Sequence, residues 1–149
     1  MKIIIIIGSQ SDAVWAEKVQ TELNKWQLPS EILIASAHKV PEKVIGIVQK
    51  FNSEKDIVYV TIAGRSNGLS GLVAANAIHP VIACPPFKDK QDLLINIHST
   101  MQMPSDTPVL TVLDPNNVAA ACARIFGLAD GSWQQKVKEK INQIKQSFK

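Results

Sequence analysis

The stretch Ser36-Ala37-His38-Lys39 puts a titratable imidazole and a fixed cation side by side. It follows a short apolar run, Ile32-Leu33-Ile34-Ala35, and stops at Pro41. Histidine is the side chain that exchanges protons near neutral pH. A neighbouring lysine attracts an anionic substrate. Together they suggest proton transfer on a negatively charged molecule. The alternative at each position is bland: a structural histidine satisfied by a backbone carbonyl, and a solvated lysine.

Two other stretches have residue types suited to the same task. Gly8-Ser9-Gln10-Ser11-Asp12 is a turn leading into a helix, where exposed N–H groups and the helix dipole favour an anion. Asp12 would repel a phosphate there, so as a ligand contact it suits sugar hydroxyls; otherwise Ser11 or Asp12 simply caps the helix. Ala63-Gly64-Arg65-Ser66-Asn67-Gly68-Leu69-Ser70-Gly71 is glycine-rich and opens a helix of small residues. It lacks the Gly-Lys-Ser/Thr ending of a nucleotide-binding P-loop and the glycine intervals of a dinucleotide fingerprint. Its glycines let backbone approach a small ligand, and its N–H groups, Arg65 and Ser66 suit a carboxylate. The alternative is a tight turn packing helix on strand. No serine sits on a nucleophile elbow. His79 and His98 read as helix-end or surface residues, and no spacing suggests a metal site.

These stretches need elements that bring them together. Ile3–Ile7 reads as a central strand buried on both faces. Trp15, Ala16, Val19, Leu23 and Trp26 give an amphipathic helix that Pro29 ends. Residues 32–35 form the second strand, and a helix starts at Pro41. Ile57–Ile62 is the third strand, Val81–Cys84 the fourth and Val109–Leu113 the fifth. Helices are predicted to Ile78 after the glycine-rich loop, over Asp92–Met101 and over Asn117–Phe126 with Gly127 as C-cap. A last helix, capped by Ser132, runs to about Ser147. Such alternation predicts a single three-layer α/β domain over residues 1–149, flavodoxin-like, with a five-stranded parallel sheet and a C-terminal helix. The candidate stretches then all fall at strand carboxyl ends, where open α/β sheets bind ligands.

Composition narrows the class. The chain is 46% hydrophobic but only 5% aromatic, so aliphatic residues must fill the core, as in buried parallel sheets. The net charge of +3 comes from five lysines at or beyond Lys136, which argues against nucleic-acid binding. Cys84 and Cys122 read as reduced, buried thiols of a cytoplasmic protein. No stretch has the form of a secretory signal or the length of a membrane span.

In order and spacing, Gly8-Ser9-Gln10-Ser11-Asp12, Ser36-Ala37-His38-Lys39-x-Pro41, Ala63-Gly64-Arg65-Ser66-Asn67-Gly68-Leu69 and Pro80-Val81-Ile82-x-Cys84-Pro85-Pro86 resemble the phosphoribosylaminoimidazole carboxylases of purine biosynthesis. The resemblance covers roughly Ile3 to Leu128. Of the family's two branches, the mutase has Ser-Ala-His-Arg and a second histidine in the third-strand loop. The branch using carbon dioxide has Ser-Ala-His-Lys and Ala-Gly-Arg-Ser-Asn-Gly, as here. The resemblance implies reversible carboxylation of 5-aminoimidazole ribonucleotide at ring carbon 4, without ATP, metal or other cofactor. It implies that Ser9, Ser11 and Asp12 hold the ribotide, Asp12 on the ribose. Ser36 and Lys39 meet the phosphate. Ser66 and Gly68 form the carbon dioxide pocket, with Arg65 beside it, and His38 manages the proton at carbon 4. It also implies a homo-oligomer, commonly an octamer. Departures are Val40 for a frequent Gly, Ser70-Gly71 for a Gly-Pro pair, and Asp106 for a Gly. The competing readings are the N5-carboxyaminoimidazole ribonucleotide mutase, a non-catalytic ribotide-binding module and, from the fold alone, a flavin electron carrier.

Overall fold

All five isoleucines from Ile3 to Ile7 have no exposed surface, because the strand that carries them lies inside the sheet and is covered on both sides. The computed structural model describes residues 1–148. Its sheet consists of β1 (Lys2–Ile7), β2 (Ser30–Ile34), β3 (Ile57–Ile62), β4 (Val81–Ala83) and β5 (Leu110–Thr111), all parallel, in the order β2-β1-β3-β4-β5. Ile5 pairs with Ile32 on one side and Val60 on the other.

Side chains alternate across a strand, so the isoleucine run feeds two cores. Ile3, Ile5 and Ile7 pack with Ala16, Val19 and Leu23 of α1 (Ala13–Lys25), Val118, Cys122 and Phe126 of α5 (Pro115–Gly127), and Trp133 of α6 (Gly131–Gln146). Ile4 and Ile6 pack with Val44, Val48 and Phe51 of α2 (Pro41–Asn52) and with Leu69 and Val73 of α3 (Gly68–Asn76). Each buried isoleucine contributes about 1.5–3 kcal/mol over leaving it exposed. The remaining helix, α4 (Lys90–Met101), follows β4.

The expected flavodoxin-like sheet and C-terminal helix are present, with corrections at the ends of elements. The cap of α6 is Asp130, whose carboxylate accepts from Ser132 N at 2.8 Å, rather than Ser132. Gly127 stays inside α5, and Leu128 ends that helix at φ −70°. Glycine is there because α6 comes close: Gln134 Nε2 donates to the Gly127 carbonyl at 2.7 Å, and a Cβ would meet Gln134 Cγ at 3.3 Å. Helices α4 and α5 begin two residues earlier than predicted, on Asp89 and Asp114 side chains that accept from Asp92 N at 2.8 Å and Asn117 N at 3.0 Å. β5 is shorter than Val109–Leu113, because its only neighbour, the short β4, pairs with just Leu110 and Thr111.

The chain leaves β1 toward β2 on one side and returns to β3 on the other. The loops after β1 and β3 therefore flank the crevice at which this topology places ligands.

Candidate active site

A cavity of about 940 Å³ opens at that crevice. Its lining includes Ser9, Ser11, Asp12, Ser36, His38, Lys39, Arg65 and Ser66, so three separate loops deliver their candidate residues to one place. Gly68 lies just behind the lining, against the His38 ring. A Cβ built on it would be 3.0 Å from His38 Nε2 and 3.2 Å from Cε1.

Each loop is shaped by its own hydrogen bonds. After β1, a 3-10 turn over Gln10–Asp12 brings the Asp12 carboxylate back to accept from Ser9 N at 3.0 Å and Ser9 Oγ at 3.1 Å. The Ser9 and Ser11 hydroxyls lie 2.5 Å apart. Asp12 precedes α1 without capping it through its side chain. Beyond β2, Val40 N donates to the Ser36 carbonyl at 2.9 Å and Lys39 N to Ser36 Oγ at 3.3 Å. This turn carries His38 and Lys39 on its exposed outer side.

The loop after β3 is held from behind. Arg65 adopts φ 59°, a left-handed conformation uncommon for a residue with a Cβ. Its N–H donates to Asn96 Oδ1 at 2.6 Å, and Asn67 N donates to Ser99 Oγ at 2.7 Å. Asn67 caps α3 by accepting from Ser70 N at 3.2 Å. Ser70, one of the departures from the family pattern, is fully buried and shares hydrogen bonds with Thr61 (2.8 Å) and Asn67 Oδ1 (3.0 Å). Its side chain supports the loop and does not line the cavity. Asp106, another departure, has φ 63°, a conformation natural to glycine that Asp also tolerates.

Electrostatically the cavity suits an anion. Lys18, Lys39, Arg65 and Lys88 line it against only two carboxylates, Asp12 and Asp92. Burial raises the Asp12 carboxyl above its ordinary value, opposed by the Ser9 hydrogen bonds. A raised folded-state pKa means that the ionised group opposes folding above that pKa and ceases to do so as pH falls through it. Asp12→Asn keeps an acceptor for both Ser9 bonds and removes the charge. Its melting temperature should equal or exceed that of the parent at neutral pH, with the difference shrinking on acidification. A melting series across pH checks this.

Trp15, Pro86, Phe87 and Asn96 also line the cavity and were not anticipated as site residues. Trp15 fits the apolar period of α1 and so reads as core. In the fold it packs against that core and also reaches the cavity rim, 4.9 Å from Phe87 between ring centroids, with Nε1 donating to Cys84 Sγ at 3.3 Å. Asn96 carries the one signal that could have found it: an amide in mid-helix between Ile95 and Ile97, where asparagine is unfavourable. Cys84 is free and buried, its thiol pushed up to about 11, so thiolate chemistry is suppressed at neutral pH. Among the described residues, no cluster of three His, Cys, Asp or Glu could hold a metal, and no helix is long and apolar enough to cross a membrane.

The family model for AIR carboxylase matches residues 2–147. The phosphoribosylaminoimidazole carboxylase of Archaeoglobus fulgidus is 44% identical over 147 residues, which cover 99% of this chain and 78% of that one.

The chain belongs to the AIR carboxylase family.

Treponema denticola supplies two further relatives of this AIR carboxylase. Its phosphoribosylaminoimidazole carboxylase is 40% identical, over 91% of this chain and 86% of that one. The crystal structure of Treponema denticola PurE superposes with a TM-score of 0.93 at 38% identity, covering 99% of this chain and 93% of that chain. The protein is thus an enzyme of the phosphoribosylaminoimidazole carboxylase type, a lyase of purine biosynthesis.

Proposed function

We propose that this AIR carboxylase works in the branch that takes carbon dioxide directly, adding it to ring carbon 4 of 5-aminoimidazole ribonucleotide in a reversible, ATP-independent reaction. The observation that carries the reading is the pairing of His38-Lys39 with the Arg65–Gly68 loop. The imidazole and the start of α3 approach so closely that a Cβ on Gly68 would stand 3.0 Å from His38 Nε2. The relatives named phosphoribosylaminoimidazole carboxylase support it. So does the absence of any histidine from Ala63–Gly71, where the mutase branch has one.

The ribotide lies across the cavity, its phosphate on Ser36 and Lys39 and its ribose on Ser9, Ser11 and Asp12. The electron-rich ring carbon attacks carbon dioxide, so the enzyme supplies no nucleophile. Arg65, Ser66 and the amino-terminal end of α3 favour the carboxylate as it forms. Gly68 contributes space more than a donor, since its N–H already donates to the Ser66 carbonyl at 2.9 Å. The intermediate has a tetrahedral carbon bearing both hydrogen and carboxylate. His38 removes that proton and aromaticity returns. In reverse, His38 protonates the carbon and carbon dioxide leaves. Much of the acceleration is positioning, with phosphate binding holding the ring beside the gas.

The 149 residues act as one carboxylase domain. They assemble as a homo-oligomer, octameric by family pattern, a reading supported by exposed apolar side chains such as Leu94 (58%), Met101 (66%) and Leu128 (87%).

The test is incubation of the protein with the ribonucleotide and bicarbonate in the absence of ATP. Carboxylated product should accumulate, and its absence would contradict the proposal.

A further inference from the structure

Asn96 is 2% exposed, yet its amide reaches the wall of the substrate cavity. Oδ1 accepts from Arg65 N at 2.6 Å, and Nδ2 donates to the Pro86 carbonyl at 2.7 Å. Those partners belong to two different loops, one after β3 and one after β4, and both loops line the cavity. The amide also sits flat against Gly64, where a Cβ would lie 3.2 Å from Nδ2 and 3.4 Å from Oδ1. Two further residues of α4 continue the contact. Ser99 Oγ accepts from Asn67 N at 2.7 Å, and Thr100 Oγ1 accepts from Asn67 Nδ2 at 2.9 Å while donating to the Asn96 carbonyl at 2.7 Å.

The backbone is therefore fixed at residues 65 and 67, on either side of Ser66. Arg65 and Ser66 are themselves exposed. Arg65 is held left-handed at φ 59°, a conformation that sets which way its side chain and the Ser66 peptide face. An amide is the side chain this junction demands. A carboxylate could accept from Arg65 but would repel the Pro86 carbonyl, and a hydroxyl or alkyl group could not span both loops.

We infer that Asn96 is a positioning residue for catalysis: it ties the Arg65–Gly68 loop to the Pro86 loop and so aims Arg65 and Ser66 at the carboxylate that forms beside His38. This rests on the proposed role of that loop in the carboxyl transfer, whichever branch the enzyme belongs to. Asn96 has no hydrogen bond to the Ser9–Asp12 turn or to the Ser36–Lys39 turn, so ribotide capture should be insensitive to it.

The experiment compares Asn96→Ala and Asn96→Asp with the parent, using whichever carboxyl source, carbon dioxide or the N-carboxylated ribonucleotide, the parent turns over. The choice of source tests the branch; the variant-to-parent ratio tests Asn96. For Asn96→Ala, kcat should fall about a hundredfold, while KM for the ribonucleotide moves by less than about threefold. Asn96→Asp keeps the acceptor for Arg65 N and should recover part of that kcat. Circular dichroism and melting temperature report folding. Unchanged kcat in folded Asn96→Ala would overturn the inference. So would a rise in KM with kcat preserved, or an Asn96→Asp no better than Asn96→Ala. If the alanine variant does not fold, a folded Asn96→Asp with lowered kcat and near-parental KM supports the inference, and one with parental kcat, or with KM rather than kcat changed, overturns it.

Discussion

Replacing His38 with asparagine should reduce turnover by about a thousandfold while leaving ribonucleotide affinity within about threefold of the parent. Asparagine approximates the histidine volume and can hydrogen-bond, but it cannot exchange a proton near neutral pH. The substituted position is exposed, in a turn organised by Ser36 and not by the imidazole, so the fold has no reason to respond. The phosphate and ribose contacts assigned to Ser36, Lys39 and Asp12 remain in place. Steady-state kinetics together with calorimetric binding of the ribonucleotide separate the two effects. Turnover near the parental rate would remove His38 from the mechanism and leave the cavity a binding site looking for another base. Lost binding with lost turnover would instead mean that the imidazole serves the substrate's anchorage.

Gly68→Ala should be nearly as damaging, about a hundredfold in kcat, although the change adds one methyl group and moves no charge. Its Cβ would stand 3.0 Å from His38 Nε2, tighter than ordinary contact, so the ring or the start of α3 must give by a few tenths of an ångström. Either movement separates the proposed proton acceptor from the loop proposed to receive the carboxylate. Stability should hardly suffer. Gly68 is the first residue of α3, and no glycine in the chain has positive φ, so alanine fits the backbone there. Gly46→Ala in α2 is the matched control, because nothing lies within 4 Å of its added Cβ. The control should gain up to about 1 kcal/mol of stability from helix propensity and keep full activity. Thermal melts and kcat on the same samples decide it. A fully active Gly68→Ala would show that the close approach of Gly68 to His38 has no catalytic importance.

What the sequence made legible follows from where the physics is local. The isoleucine run, the amphipathic helices and the glycine-rich loop are short-range patterns, and they yielded a parallel five-stranded sheet with a C-terminal helix. The convergence of Ser9, Ser36, His38 and Arg65 was legible too, because parallel strands deliver all such loops to one edge. Two kinds of feature were hidden. Helix ends depend on which side chain wins the free N–H groups, and Asp130 took α6 from Ser132 although both are good caps. The other is contact between distant segments. Nothing local marks Asn96 as the partner of Arg65, 31 residues away, or Gly127 as the seat of Gln134. Trp15 shows the same limit: its period matches the core face of α1, against which it packs, but its contacts with Phe87 and Cys84 at the cavity rim join distant segments.

The choice between the two branches is the claim that most needs a direct measurement. Lys39 after His38 and the histidine-free loop at Arg65–Gly68 are what the carbon dioxide proposal rests on. The decisive comparison supplies the enzyme in turn with 5-aminoimidazole ribonucleotide plus carbon dioxide, and with the N-carboxylated ribonucleotide in buffer stripped of carbon dioxide. The account predicts saturable carboxylation in the first case, rising with dissolved carbon dioxide, and only the slow release of carbon dioxide from the labile substrate limiting the second. Efficient conversion of the N-carboxylated ribonucleotide in the stripped buffer, with no dependence on added carbon dioxide, would contradict it.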